Sequence, residues 1–393
     1  DVVFNPAPIP QAGVPALGAG RPAPAGPAVR ATPAHGGYVL ENDVVRVVIT
    51  AEGLITSAVD VATGRDAIPA GAEANLLQLH PDFPAMWDAW DVDRYYRNRV
   101  DDLRAAESLT IETAADGVTV IVSRRFSQSA LTQRITLHAG SRALVFAQTT
   151  DWHETEKFLK VAFPLDIHAE HTAAETQFGY AKRVTHTNTS WEAAKFETAM
   201  HRFVHVEEPG FGVALTTDST YGYDVTRDST PETGVTTTVR LSLLRAPRFP
   251  DPATDQGEQT HVYALVIGAD IADATAAGLV MNLPLRAAPA ADIAADAVTP
   301  PTLAPVVETS GGVLVSAVKL AADRSGDLIV RVYEPYGRRA TGTVRFGRAV
   351  SGVTAVSLIE DANPSPVPVP LVGDRDVTVS LTPFEVRTLR VTL

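Results

Sequence analysis

From Tyr38 onward apolar and polar residues alternate at period two, the spacing of strands that bury one face. YVLENDVVRVVIT alternates around Val45, Val47 and Ile49, and Gly53 punctuates it before LITSAVD. Strands are predicted at NLLQLH (75–80), SLTIET (108–113) and GVTVIVSRRFS (117–127), with a hairpin turning at Ala139–Gly140–Ser141. FLKVAFPLDI, HRFVHVEE, FGVALTTD, VTTTVRLSLLR and THVYALVIGA continue the series. Helical periodicity is scarce, and DIADATAAGLV (270–280) is the best candidate for it.

Two stretches break the alternation. Residues 1–37 begin DVVFN and then carry eight prolines before position 34, which predicts one short strand and an extended linker. Residues 286–305, rich in Ala and Pro, predict a second linker. Beyond it, GGVLVSAVKLA, DLIVRVYEP, GTVRFG, VTAVSLIE and DVTVSLTPFEVRTLRVTL have sandwich-like spacing, so 306–393 reads as a small β-sandwich. The expected fold class is all-β, with a large domain over 38–285 and a small one after it.

Composition narrows the function. Lys and Arg number 33 against 46 Asp and Glu, a net −13, which argues against nucleic acid and against an anionic membrane surface. No run approaches the roughly 20 apolar residues that span a bilayer. Cysteine is absent, so disulfides, thiolate zinc sites and cysteine nucleophiles are excluded. The first residue is Asp, as expected of a processed chain or a piece of a longer one.

There is no nucleophile elbow, phosphate-binding loop, dinucleotide fingerprint or H-E-x-x-H. His168 and His171 fall on opposite faces of a strand, which suits a surface pair better than a metal site. His201 and His205 share a face with Phe203, as core or interface packing would require. The carboxylate pairs Asp88/Asp91, Asp101/Asp102 and Glu207/Glu208 suit solvated loops, since spacing in a β protein does not set the separation a glycosidase needs.

Three segments carry more chemistry. MWDAWDVDRYY (86–96) crowds rings and carboxylates, as a sugar site or an aromatic anchor would. THTNTSW (185–191) is a polar loop between strand-like pieces. RAPRFPDP (245–252) takes Arg245 off the end of a strand into a proline-stiffened loop. There its planar guanidinium either donates to a ligand or ties the loop down as an ion pair.

WDAWDVD, TDWHETEKFLKVAFPLDI, TQFGYAKRVTHTNTSWEAAKFE, EEPGFGVALTTDSTYGYDV and LSLLRAPRFPDPATDQGEQTHVYAL together resemble the C-terminal β region of glycoside hydrolase family 38, nearest its cytosolic-type branch. The resemblance covers about residues 38–285, and the tail resembles the family's terminal sandwich more loosely. It implies a mutarotase-like β-supersandwich, and a parent enzyme that is a zinc-dependent, retaining α-mannosidase. The nucleophile, acid/base residue and zinc ligands would then lie in an N-terminal catalytic domain. No catalytic or metal residue is therefore expected in this chain, which should be inactive alone. The family usually carries a small β-sandwich after its VVFNP-like strand, whereas here PAPIPQAGVPALG follows directly.

By resemblance, Arg245 is the residue reaching the sugar site, with Trp87, Asp88, Trp90, Asp91, Asn188 and Trp191 as candidate substrate-binding neighbours. Asn188-Thr189-Ser190 is also a glycosylation sequon, meaningful in a eukaryotic secretory setting. Expected partners are a mannose-containing oligosaccharide and the enzyme's own catalytic domain, with homo-oligomers open. A cytoplasmic location follows from the branch, with secretion still open. The competing reading is a stand-alone carbohydrate-binding or structural β module.

Overall fold

In this computed structural model, residues 2–23, 26–287, 302–303, 305–361 and 367–393 are described. The chain divides into two compact units, one of Pro24–Glu175 with Ala181–Gly278, the other of Asp1–Ala23, Thr176–Tyr180 and Leu279–Leu393.

The larger unit has three sheets. Five strands, from Arg30–Ala34 to Arg65–Asp66, pair in chain order. A nine-stranded sheet runs from Ser108–Ala114 through Gly117–Phe126, Ser129–His138, Ala143–Trp152, Gly257–Ile267 and Phe211–Thr217 to Phe203–Glu208 and the hairpin beyond it. A six-stranded sheet has the order Thr198–Ala199, Gly222–Thr230, Gly234–Leu244, Lys157–Leu165, Leu76–Pro81, Asp101–Asp102. All three contribute to one core containing Val47, Val120, Ile135, Phe146, Phe163, Leu241 and Tyr263, the expected supersandwich.

Register follows from alternation. Val120 lies opposite Ile135 and Leu131 opposite Thr150, so a one-residue slip would turn the apolar set outward. At the centre, Asn75, Gln133, Gln148 and Tyr263 hydrogen-bond one another at 2.7–3.4 Å, which meets the needs of these buried polar atoms. The predicted helix forms over Ile271–Asn282. Asp270 caps it by accepting from the N–H groups of Ala272 and Asp273, both at 2.8 Å.

The smaller unit is a sandwich. One sheet orders Val307–Thr309, Ala340–Phe346, Asp376–Leu381 and Leu371–Val372; the other orders Leu314–Leu320, Leu328–Tyr333, Val386–Thr392, Gly352–Val356 and Val367–Pro368. Val330, Val332, Val344, Phe346, Val379 and Val391 fill the space between them.

The opening segment departs from the expected strand and linker. Val3–Phe4, Ala19–Gly20 and Arg30–Ala34 are all strands, so residues 1–37 are not a spacer. The first two join Arg286–Ala287 and Thr302–Leu303 in a four-stranded sheet. The rest of the predicted second linker lies largely outside the described residues. Proline content suggested extension here, but one side chain folds the run back. Fully buried Asn5 donates to the carbonyls of Ile9 (2.8 Å), Val14 (3.2 Å) and Pro15 (3.1 Å). Its Oδ1 accepts from Ala7 N and Gln11 Nε2, both at 3.0 Å. Asn5→Ala would remove five hydrogen bonds at once and take from the Ile9 carbonyl and the Ala7 N–H the partner each has in Asn5, so a loss of roughly 2–3 kcal/mol is expected in urea unfolding, with faster proteolysis between residues 5 and 18.

Candidate functional site

The six-stranded sheet has one apolar face, with Val161, Phe163, Val239 and Leu241 in the core. Its other face is polar, and strand register assembles a charge cluster there. Lys160 lies opposite both Ser242 and Gln78, and Asp224 opposite Arg240. Lys160 and Asp224 have no exposed side-chain surface, and their charged atoms are 2.9 Å apart. Lys160 Nζ also donates to Glu197 (2.8 and 2.9 Å) and to Ser242 Oγ (2.8 Å). Arg240 and Arg97 donate to Asp224 Oδ1 at 3.0 and 3.1 Å. Burial alone would push the Asp224 carboxyl up, but Lys160, Arg240 and Arg97 hold it down to about 2.

MWDAWDVDRYY closes over this cluster. Tyr96 is buried, and its ring packs edge-on to His80 at 5.0 Å and against Phe158 at 5.3 Å. The Tyr96 hydroxyl lies 3.1 Å from Glu197 and 3.0 Å from Asp224. Burial, then the two carboxylates, push this phenol far above its ordinary range, so it stays a donor. The other rings face outward, with Trp87 63% and Trp90 68% exposed beside exposed Phe83, Met86, Tyr95 and Phe249. Trp87 sits at φ +59°, a left-handed conformation that turns its side chain out of the loop.

Arg245 is held in the ion pair that one of the two sequence-based readings expected. Its Nε and Nη2 grip Asp82 at 2.8 Å each, and Nη2 also donates to the Asp88 carbonyl at 3.2 Å. Burial pushes the Asp82 carboxyl up, and the Arg245 bonds pull it back only in part. The ion pair ties 245–251 to 82–88, yet among the described residues Nη1 has no hydrogen bond, and the side chain is 17% exposed. Asp88 completes the tie, Oδ2 accepting from the N–H groups of Arg248 (2.6 Å) and Phe249 (3.0 Å). Asp91 accepts from its neighbour Val92 N.

Asn188 and Trp191 lie elsewhere. Asn188 lines an open cleft of about 410 Å³ with Arg97, Thr187, Thr226 and Ser229. Trp191, 77% exposed, rides on the short helix Ser190–Ala193, which Thr189 caps by accepting from Glu192 N at 3.2 Å. Arg97 belongs to the cleft and, through Asp224, to the charge cluster.

Two of the histidines weighed in the sequence have local partners. His168 Nε2 meets Arg227, while His205 is buried against the carbonyl of Ala269 at 2.8 Å. Among the described residues no group of three or more His, Asp or Glu is placed to hold a metal ion. Sequence reasoning missed Lys160, Glu197, Asp224, Tyr96 and Arg97. The available signal was a lone ionisable residue inside an apolar strand, Lys160 in FLKVAFPL and Asp224 in GYDV.

Comparison with known proteins agrees with this architecture. Residues 40–253 match the glycosyl hydrolases family 38 C-terminal domain, and 312–389 the family 38 C-terminal beta sandwich domain. The chain belongs to glycosyl hydrolase family 38. It is similar to Alpha-mannosidase 2C1 of Homo sapiens, 33% identical over 372 residues, covering 91% of this chain and 34% of that protein. An Alpha-mannosidase of Saccharomyces cerevisiae is 30% identical over 242 residues, covering 58% and 22%. An alpha-mannosidase structure from Enterococcus faecalis V583 superposes with TM-score 0.72 at 17% identity, over 96% of this chain and 45% of that one, a likeness of fold. The chain spans about a third of the length of the first two mammalian relatives it matches.

Two outcomes follow from the charge cluster. Lys160→Met should cost ~3–5 kcal/mol in urea unfolding, because it removes the cation shared by buried Asp224 and partly buried Glu197. Adding Glu197→Leu should recover more than ~1 kcal/mol, the coupling of a double-mutant cycle. The folded-state pKa of Asp224 is depressed, so its contribution is complete above the unfolded value of about 4 and lost as pH falls toward about 2. Urea midpoints between pH 5 and 2 should show that loss.

Proposed function

We propose that this chain is the C-terminal β portion of a retaining, zinc-dependent α-mannosidase that hydrolyses terminal α-mannosides of mannose-containing oligosaccharides. The observation that carries this reading is the family match over residues 40–253. The loops 82–98 and 245–251 form one wall of the substrate cleft. In support, they share a buried ion pair, expose Trp87, Trp90 and Phe249 together, and leave Arg245 Nη1 without a protein partner. The enzyme's own catalytic domain is the partner that completes the cleft. On this reading zinc, nucleophile and acid/base carboxyl are contributed from outside this chain.

Chemistry speaks against a reaction centre within the charge cluster. A retaining glycosidase needs a carboxyl with a raised pKa to protonate the leaving group. Asp224 is held down to about 2, and Glu197 is engaged by Lys160, Ser242 and Tyr96. These carboxylates hold structure. A cytoplasmic setting goes with the cytosolic-type branch, and no helix among the described residues is long and apolar enough to cross a membrane.

The purified 393-residue chain should release no nitrophenol from p-nitrophenyl α-mannoside with zinc added. A longer protein carrying the catalytic domain should do so, and Arg245→Ala in it should lower kcat/KM by roughly 10- to 100-fold, the scale of one lost positioned hydrogen-bond donor. Zinc-dependent turnover by the chain alone would overturn the assignment of the chemistry.

A further inference from the structure

We infer that the cleft holding Arg97 and Asn188 is a separate binding subsite for a neutral oligosaccharide, distinct from the wall carrying Arg245. Under the mannosidase reading its ligand is an α-linked mannose arm of the substrate; the identity of the sugar rests on that reading. The preference for a neutral polyol rests on the cleft itself.

At about 410 Å³ the cleft lies within the ~300–1,000 Å³ of ordinary ligand pockets. Its charged side chains are of both signs, and each has a protein contact. Arg97 pairs with Asp224 at 3.1 Å, Lys195 with Glu192 at 3.3 Å, Arg227 meets His168, and Asp228 accepts from Thr238. An anion would face Glu192 and Asp228, and a cation Arg97 and Arg227, so neither is favoured. Neutral hydrogen-bonding groups remain. Asn188, Thr187 and Ser229 line the cleft, and their side chains have no hydrogen bond among the described residues. Arg97 uses a single hydrogen bond, to Asp224 Oδ1, leaving its other N–H donors for a ligand. Amide, hydroxyls and a planar guanidinium together suit sugar hydroxyls, each of which donates and accepts.

The site is also held in advance of binding. Asp224 clamps Arg97, whose guanidinium lies 5.7 Å from the Tyr96 ring centroid. Thr189, next to Asn188, caps the following helix. Fixed groups lose less entropy when a ligand arrives. Exposed Trp191 lies in sequence between the lining residues Asn188 and Glu192, and its flat apolar face is of the kind that covers the C–H side of a pyranose.

The test is calorimetric titration of the whole chain with α-linked mannotriose, and with maltotriose in parallel. Saturable binding is expected, weakened at least tenfold by Asn188→Ala and by Trp191→Ala and unchanged by Ile359→Ala, an exposed residue outside the cleft. All three positions are exposed, and unchanged melting temperatures would confirm folded variants. Binding of maltotriose in place of mannotriose, with the same sensitivity to Asn188→Ala, would support a glycan subsite while counting against the mannosidase reading. No saturable heat with either sugar, or binding unaffected by both cleft variants, would overturn the inference.

Discussion

One buried carboxylate organises the polar side of the six-stranded sheet. Asp224 has no exposed side-chain surface and accepts from Lys160, Arg97 and Arg240, which stand on two other strands and the covering loop. Removing any of these ions from water costs several kcal/mol, a cost offset only if every partner is in place. The cluster is therefore all-or-none. Strand register supplies Arg240 and Lys160, Glu197 arrives from the segment before Thr198–Ala199, and the loop must deliver Tyr96 and Arg97.

That requirement explains the crowded composition of MWDAWDVDRYY. Its rings divide by role. Tyr96 plugs the sheet face, while Trp87 and Trp90 stand in solvent. Its carboxylates divide as well: Asp88 fixes the Arg248 and Phe249 amides, and Asp91 serves only its neighbour. With Asp82 gripping Arg245, two loops that diverge in sequence are bound into one rigid presentation. A surface that positions ligands gains more from such rigidity than from added contacts.

What could be read from the sequence was what repeats. Alternation located the main strands and the hairpin at Gly140, because a half-buried strand must repeat every second residue. The opening segment defeated that reasoning. Its proline count masked Asn5, whose amide satisfies carbonyls four to ten residues away, a contact without periodicity. Arg245 was visible as a strand-end cation, but its partner Asp82 stands 163 positions earlier. The Lys160–Glu197–Asp224 set was beyond reach for the same reason, since its members meet only through sheet pairing. Periodicity encodes faces, and functional contacts join faces.

The charge balance of the cluster also bears on function. Two carboxylates, Glu197 and Asp224, meet three cations, Lys160, Arg97 and Arg240, so one positive charge is not matched within the set. Lys160 is sealed from water and Arg240 retains 17% of its side-chain surface, while Arg97 retains 27%. The unmatched charge is least costly where water or a ligand can solvate it, at the Arg97 end. A buried network that must leave one guanidinium at the surface thereby points a fixed, planar set of donors into the cleft beside Asn188. In this way the interaction that stabilises the sheet also determines where a hydroxyl-rich ligand finds its anchor.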